Sequence, residues 1–275
     1  MAGATRMLAV VATTPMPFED RVGPAPAAYL QELVRRVQVV AGERLLGVWL
    51  LGSAALHDFD PARSDLDVQA VSTTPLTLGE RRSLAAALEH EALPCPARGL
   101  EFVLYARDDL TAVDGPAYGL NLNTGARMEH RLSFDATADP RFWFTIDLSI
   151  ARQHALALAG PSPADAFPSL PDALVRSALR DAMEWYALEG GSLAQTVLSA
   201  TRTWAWATDG RWLSKAESAD WARERLADPG PVDRALALRA EPAAADGGAP
   251  ALTDADAAPI LAAARAALDG AHAGA

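Results

Sequence analysis

Two stretches of this chain carry residue types at spacings suited to phosphate and metal chemistry. In the first, Leu50-Leu51-Gly52-Ser53 is followed after ten residues by Ser64-Asp65-Leu66-Asp67-Val68. Side chains alternate along a strand, so Asp65 and Asp67 share a face and repel each other unless a cation lies between them. Hard Mg2+ favours such oxygen donors, usually one or two carboxylates together with substrate phosphates. Gly52 closes an apolar run, where backbone amides can approach a phosphate, and Ser53 adds a hydroxyl donor. The second stretch is Gly99-Leu100-Glu101-Phe102-Val103-Leu104-Tyr105. There Glu101 is a carboxylate on an otherwise apolar strand, which is costly unless it is paired or functional. It either joins the two aspartates or pairs with Arg98 or Arg107. No Gly-Lys-Ser/Thr follows Gly52, so the turn is not a P-loop, and it does not fit the dinucleotide fingerprint. The five histidines show no zinc-ligand spacing, and His57 belongs to an exposed loop.

The elements that must position these residues divide into two kinds. In the first half, periodicity predicts a helix over Ala27–Val40, a buried strand over Leu45–Leu51 and a strand over Leu66–Val71. A helix over Leu78–Leu93, a strand over Leu100–Tyr105, and short strands or a long hairpin over Tyr118–Phe134 follow. From Arg141 onward the pattern is helical: Phe142–Ala159, Pro171–Leu188, Leu193–Asp209, Ser214–Leu226 and Pro250–Leu268, with Glu241–Pro250 a flexible connection. The expected fold is α+β, a mixed-sheet domain over residues 1–140 followed by an all-α helical bundle over 141–275. Six of the seven tryptophans fall in the helical half, by default as core anchors.

Lys and Arg total 24 against 35 Asp and Glu, a net charge of −11 that argues against a grip on nucleic acid or an anionic membrane and favours a cationic partner. Cys95 is the single cysteine, so no disulfide or cysteine metal cluster forms. The apolar run Met7–Ala12 is too short for a signal peptide, and no stretch is long enough to span a membrane. A cytoplasmic protein, a monomer or weak dimer, is expected.

Gly-Ser, then Asp-x-Asp, then a third carboxylate on a later strand resembles the polymerase-β-like nucleotidyltransferases. The helical half narrows the resemblance. Thr145-Ile-Asp-Leu-Ser-Ile-Ala-Arg-Gln-His154, Leu158-Ala-Gly-Pro161, Val197-Leu-Ser-Ala-Thr-Arg-Thr-Trp204, Gly210, Ser214-Lys215 and Ala219-Asp-Trp-Ala222 are similar to the streptomycin/spectinomycin adenylyltransferases, and the likeness runs from about Leu30 to Leu226. It implies that Gly52, Ser53, Ser64, Asp65 and Asp67 hold ATP and Mg2+. Asp65, Asp67 and Glu101 would be the metal set, with Glu101 also the base for the acceptor hydroxyl. Asp147, Arg202 and Lys215 complete the nucleotide site. Asp147 could instead cap or pair locally, and Arg202 and Lys215 could be surface cations. Trp185 matches a family tryptophan near the acceptor, with Glu184 and Glu189 beside it. Streptomycin-modifying members carry a Trp and an Asp where this chain has Asn121-Leu-Asn-Thr-Gly125 and Ser192, which favours spectinomycin, and the resemblance itself implies an antibiotic-resistance role. Another small molecule, or a protein or tRNA acceptor, is the alternative.

Overall fold

The computed structural model describes residues 18–111, 115–188, 191–240 and 251–270. Among them the strands form one six-stranded mixed sheet in the order β5-β4-β3-β2-β1-β6, with β1 Leu45–Leu50, β2 Leu66–Ser72, β3 Leu100–Ala106, β4 Tyr118–Thr124, β5 Arg131–Ser133 and β6 Leu156–Ala159. Only β2 and β3 pair in parallel. Asp67 and Glu101 are direct partners across them. The stretch over Tyr118–Phe134 is a hairpin, with Asn121 opposite Ser133.

Two short helices, α1 (Glu19–Val22) and, after Gly52, α3 (Gly52–Ala55), bracket α2 (Pro24–Ala41) and β1 in the chain. Helix α2 begins on a proline, where the missing N–H costs nothing, and buries Leu30, Leu33 and Val37 at helical spacing. Together with α4 (Leu78–Leu88) it contributes to a sheet core with Leu50, Val68, Leu100 and Phe102. Helix α4 starts on a Thr77/Glu80 capping box but ends five residues before the expected Leu93. There Glu89 turns out to face His130 at 2.9 Å, and the His90 N–H donates to Thr124 Oγ1 at 3.0 Å, so the chain is drawn onto β4. Cys95 is buried in this core, and burial pushes its thiol pKa up, as suits an inert side chain.

The expected helix over Phe142–Ala159 is instead α5 (Arg141–His154) followed by β6. Ala155–Ala159 alternates alanine and leucine, a pattern that suits either state. The open edge of β1, whose backbone groups need partners, decides for a strand. Trp49 on β1 locks this edge: it is fully buried, donates from Nε1 to the Pro161 carbonyl at 3.1 Å and meets Phe167 edge-on at 4.9 Å.

After α6 (Pro163–Ala166) come α7 (Asp172–Leu188), α8 (Leu193–Asp209), α9 (Lys215–Arg223), α10 (Gly230–Ala240) and α11 (Asp254–Gly270), which with α5 surround a separate apolar core containing Val197, Leu198, Trp212, Ala219, Val232 and Ile260. Helix α10 is absent from the sequence-based expectation, since its Gly230-Pro231 start reads as a breaker, although proline is tolerated in a first helical turn. Among the described residues no helix is long and apolar enough to cross a membrane.

The β6 edge is sensitive at Gly160. Its φ is +96°, and a Cβ there would lie 2.5 Å from the Leu46 carbonyl oxygen and 2.7 Å from Gly47 Cα. Gly160→Ala is therefore expected to lose about 2–4 kcal/mol in urea denaturation. Gly79→Ala, in an open position of α4 with nothing within 4 Å, is expected to be neutral or to gain about 0.5–1 kcal/mol.

Candidate active site

The sheet carboxylates stand where β1 ends and β2 and β3 begin. Chain leaving β1 is tied to β2 by the Leu51 N–H donating to the Asp67 carbonyl at 2.8 Å, and then turns sharply at Gly52. Gly52 adopts φ +58°, and a Cβ on it would fall 1.7 Å from Asp67 Oδ2, so the Asp67 carboxylate lies directly over the glycine. The next side chain, Ser53, has its buried Oγ without a hydrogen-bond partner, a polar atom awaiting one. Ser64 is buried and its Oγ accepts from the Asp60 N–H at 3.1 Å, which braces the loop leading into β2. Asp65 Oδ2 accepts from Arg98 at 2.6 Å, so Arg98 forms its ion pair with Asp65 and not with Glu101.

Burial and crowding of like charge favour the protonated form of a carboxylate. Burial, then Asp65, Glu101 and Asp147, raise the Asp67 pKa well above the usual carboxylate range, with Lys215 opposing. Glu101 is pushed up to about 8 by burial and by Asp65 and Asp147, with Arg98 opposing. Asp147, from the middle of α5, is pushed up to about 6 by burial against the pull of Arg202.

The opposing charges come from the helical half. Arg202 projects from α8, donates from Nε to the Leu213 carbonyl at 3.0 Å and stacks over Trp212, whose Nε1 donates to Ser149 Oγ at 2.9 Å. Lys215 opens α9, whose Ser214 cap and Glu217 form a reciprocal capping box, and a Thr201–Ser218 hydroxyl pair 2.9 Å apart fixes α9 against α8. Burial, Arg202 and Arg239 push Lys215 down to about 8, opposed by Asp65 and Asp67. The fold thus brings Asp65, Asp67, Glu101, Asp147, Arg202 and Lys215 within electrostatic reach of one another, beside the Gly52-Ser53 turn.

No family model matches the chain. It is 29% identical over 209 residues to the aminoglycoside (3'')(9) adenylyltransferases of Klebsiella pneumoniae and Escherichia coli, spanning 72% of this chain and 78% of theirs. The corresponding protein of Rhizobium radiobacter is 27% identical over 205 residues, 72% of this chain and 76% of its own. The chain is homologous to the aminoglycoside (3'')(9) adenylyltransferases. The crystal structure of spectinomycin adenyltransferase AAD(9) from Enterococcus faecialis, solved with ATP and spectinomycin, shares the fold. The TM-score is 0.60 at 16% identity, covering 86% of this chain and 98% of that one.

In this adenylyltransferase homologue Trp185 belongs to an aromatic trio. Its ring lies edge-on to Trp143 and Tyr186, each at 5.3 Å, and Trp143 and Tyr186 are 5.6 Å apart. Tyr186 hydrogen-bonds Ser199 and feels the charges of Arg202, Asp147 and Glu101, so the trio borders the carboxylates. Trp143, one helical turn before Asp147, and Tyr186, next to Trp185, were not singled out from sequence. For Trp143, its i, i+4 spacing to Asp147 on one helix face was the available signal. Glu184 is exposed, and Glu189 lies outside the described residues. Arg239, on the unanticipated α10, forms a 2.8 Å ion pair with Asp58. A separate cavity of about 390 Å³, lined by Ser149, Arg152, Arg176 and Trp206, contains none of these carboxylates.

In chemistry, the oxygen donors of Asp65, Asp67 and Glu101 are those a hard divalent cation takes. Carboxylates forced to hold protons are what a metal would discharge, and the free Ser53 hydroxyl suits a phosphate beside it. Among the described residues no group of three or more His, Cys, Asp or Glu yet has a metal-holding arrangement, and Asp65 is turned onto Arg98.

The raised carboxyl pKa values have a signed consequence for stability. Between the unfolded value, about 4.5, and about 8, folded Glu101 binds more protons than it does in the unfolded chain, so its contribution to stability falls as pH rises through this window. In chelator-treated protein, Glu101→Gln is therefore expected to flatten the decline in denaturation free energy between about pH 5.5 and 8 by roughly 2 kcal/mol, discounted for water reaching the cleft. Parallel profiles for wild type and variant would contradict the assignment.

Proposed function

We propose that the protein transfers AMP from Mg-ATP to a hydroxyl of an aminocyclitol or aminoglycoside, spectinomycin in preference to streptomycin. The observation that carries this reading is the cluster itself, the Asp65, Asp67 and Glu101 carboxylates at the start of β2 and β3 within electrostatic reach of Arg202 and Lys215 from the helices. The nucleotide would lie between a nucleotidyltransferase domain, residues 1–140, and a helical domain, residues 141–275.

Asp65, Asp67 and Glu101 would hold Mg2+, which when bound supplies positive charge to the phosphoryl oxygens. The Gly52-Ser53 turn offers its backbone and hydroxyl donors to the phosphates, with Ser64 on the adjoining loop. Glu101, in its ionised form, accepts the proton of the acceptor hydroxyl as the hydroxyl oxygen bonds to the α-phosphorus. The bond from that phosphorus to the bridging oxygen breaks, and pyrophosphate leaves with the electron pair. Lys215 and Arg202 stabilise the charge accumulating on the leaving pyrophosphate, and Asp147 orients Arg202.

For the acceptor, the Trp185 face and the net charge of −11 favour a cationic, hydroxylated small molecule over a polyanion. Two positions argue against streptomycin. Asn121 donates to Asp139 at 3.0 Å, and the Ser192 hydroxyl caps α8, so neither offers an aromatic face or a free carboxylate. In this reading the enzyme works in the cytoplasm, as a monomer or weak dimer, and confers antibiotic resistance.

Pyrophosphate release with ATP should require both Mg2+ and an acceptor, and spectinomycin should exceed streptomycin in a panel of aminoglycosides. Asp67→Asn and Glu101→Gln should each lower turnover by about 100-fold or more. Full turnover in either variant would remove these residues from the mechanism. Inactivity with the whole panel, together with label from ATP appearing on macromolecules of a lysate, would move the acceptor to a protein or RNA.

A further inference from the structure

Helix α10 packs on α8 and α9, the helices that carry Arg202 and Lys215, and buries Pro231, Val232 and Ala235 at its start. Its last turn thereby reaches the sheet half. There Arg239 Nη1 lies 3.0 Å from Asp58 Oδ1 and 2.8 Å from Oδ2, with the two side chains only 20% and 13% exposed. Asp58 is itself fixed, because its N–H donates to the Ser53 carbonyl at 2.8 Å. An unbroken chain of contacts therefore runs from the Gly52-Ser53 turn through Asp58 to Arg239. Among the described residues the remaining guanidinium donors of Arg239 make no hydrogen bond. Arg239 is also close enough to Lys215 to depress its pKa.

We propose that Arg239 is a third phosphate-directed cation of the nucleotide site, oriented by Asp58 over the Gly52-Ser53 turn and acting on the β- and γ-phosphates beside Lys215. This inference rests on the nucleotidyltransferase reading of the cleft. Asp58 is the tether: it holds the guanidinium by one nitrogen and leaves the others for phosphate oxygens, the geometry in which arginine recognises phosphate by more than one bond. A simple strut between the two halves would use the same ion pair but would be indifferent to which nucleotide is bound.

That difference supplies the test, equilibrium binding of ATP and of AMP to the full chain in the presence of Mg2+. Arg239→Gln should weaken ATP by roughly 10- to 100-fold and AMP by no more than about threefold, the scale of one charge-assisted contact. Arg239→Lys should recover part of the ATP affinity. Asp58→Asn, which keeps the cation, should retain the ATP-to-AMP ratio within about threefold. Equal weakening of ATP and AMP by Arg239→Gln, or a loss of the ratio in Asp58→Asn as large as in Arg239→Gln, would make the pair a strut and overturn the proposal. If Arg239→Gln does not fold, Arg239→Lys decides: a ratio lowered severalfold supports the proposal and an unchanged ratio overturns it. Failure of the wild type to bind ATP would instead refute the underlying reading of the cleft.

Discussion

Asp67 and Glu101 occupy directly opposed positions on the two parallel strands, and Asp65 and Asp147 complete a patch of four half-buried acidic side chains. Neighbouring strands lie about 4.8 Å apart. Two like charges at that separation repel by about 3 kcal/mol at an effective dielectric near 20. A sheet built this way tolerates the patch only by keeping protons on it or by receiving positive charge from elsewhere. Much of the remaining architecture follows from that constraint. Gly52 gives up its side chain so that the Asp67 carboxylate has room, Arg98 neutralises Asp65, and the helical half brings Arg202 and Lys215 to the opposite wall.

The cations are equally uncomfortable alone. Burial lowers the pKa of both Arg202 and Lys215, so each wall of the cleft is electrostatically incomplete without the other. This explains the rigid supports behind the cations: the Trp212 stack and Leu213 carbonyl under Arg202, the capping box beneath Lys215, and the hydroxyl pair between α8 and α9. A pre-formed charge pattern of this kind needs no reorganisation when charge moves during phosphoryl transfer. The same logic extends to the Asp58–Arg239 pair, which joins the two walls at the Gly52-Ser53 turn.

How much of this could be read from the sequence depended on whether local pattern or distant partner decides the outcome. Asp65 and Asp67 were legible because strand periodicity of two places them on one face, and Glu101 because a lone carboxylate on an apolar strand needs a reason. Asp147, Arg202 and Lys215 emerged only through family resemblance, since no local rule brings residues so far apart in sequence together. The strand at 156–159 was hidden because alternating alanine and leucine satisfies a helix as well as an edge strand, and the vacancy beside β1 made the choice. Helix α10 was hidden by its glycine-proline start, and Arg239 with it. Tyr186 escaped because its role comes from what faces α7, which only the packing of Trp143 and Ser199 reveals.

The central claim is that burial and like charge favour the protonated forms of Asp67 and Glu101 in the free protein and that a divalent cation displaces those protons. Calorimetric titration of Mn2+ into the metal-free protein with a non-hydrolysable ATP analogue, run near pH 7 in two buffers of different ionisation enthalpy, measures that exchange directly. The account predicts the release of between about one and two protons per metal bound, with the release lowered in Asp67→Asn and in Glu101→Gln. Metal binding without proton release, or unchanged release in either variant, would contradict it.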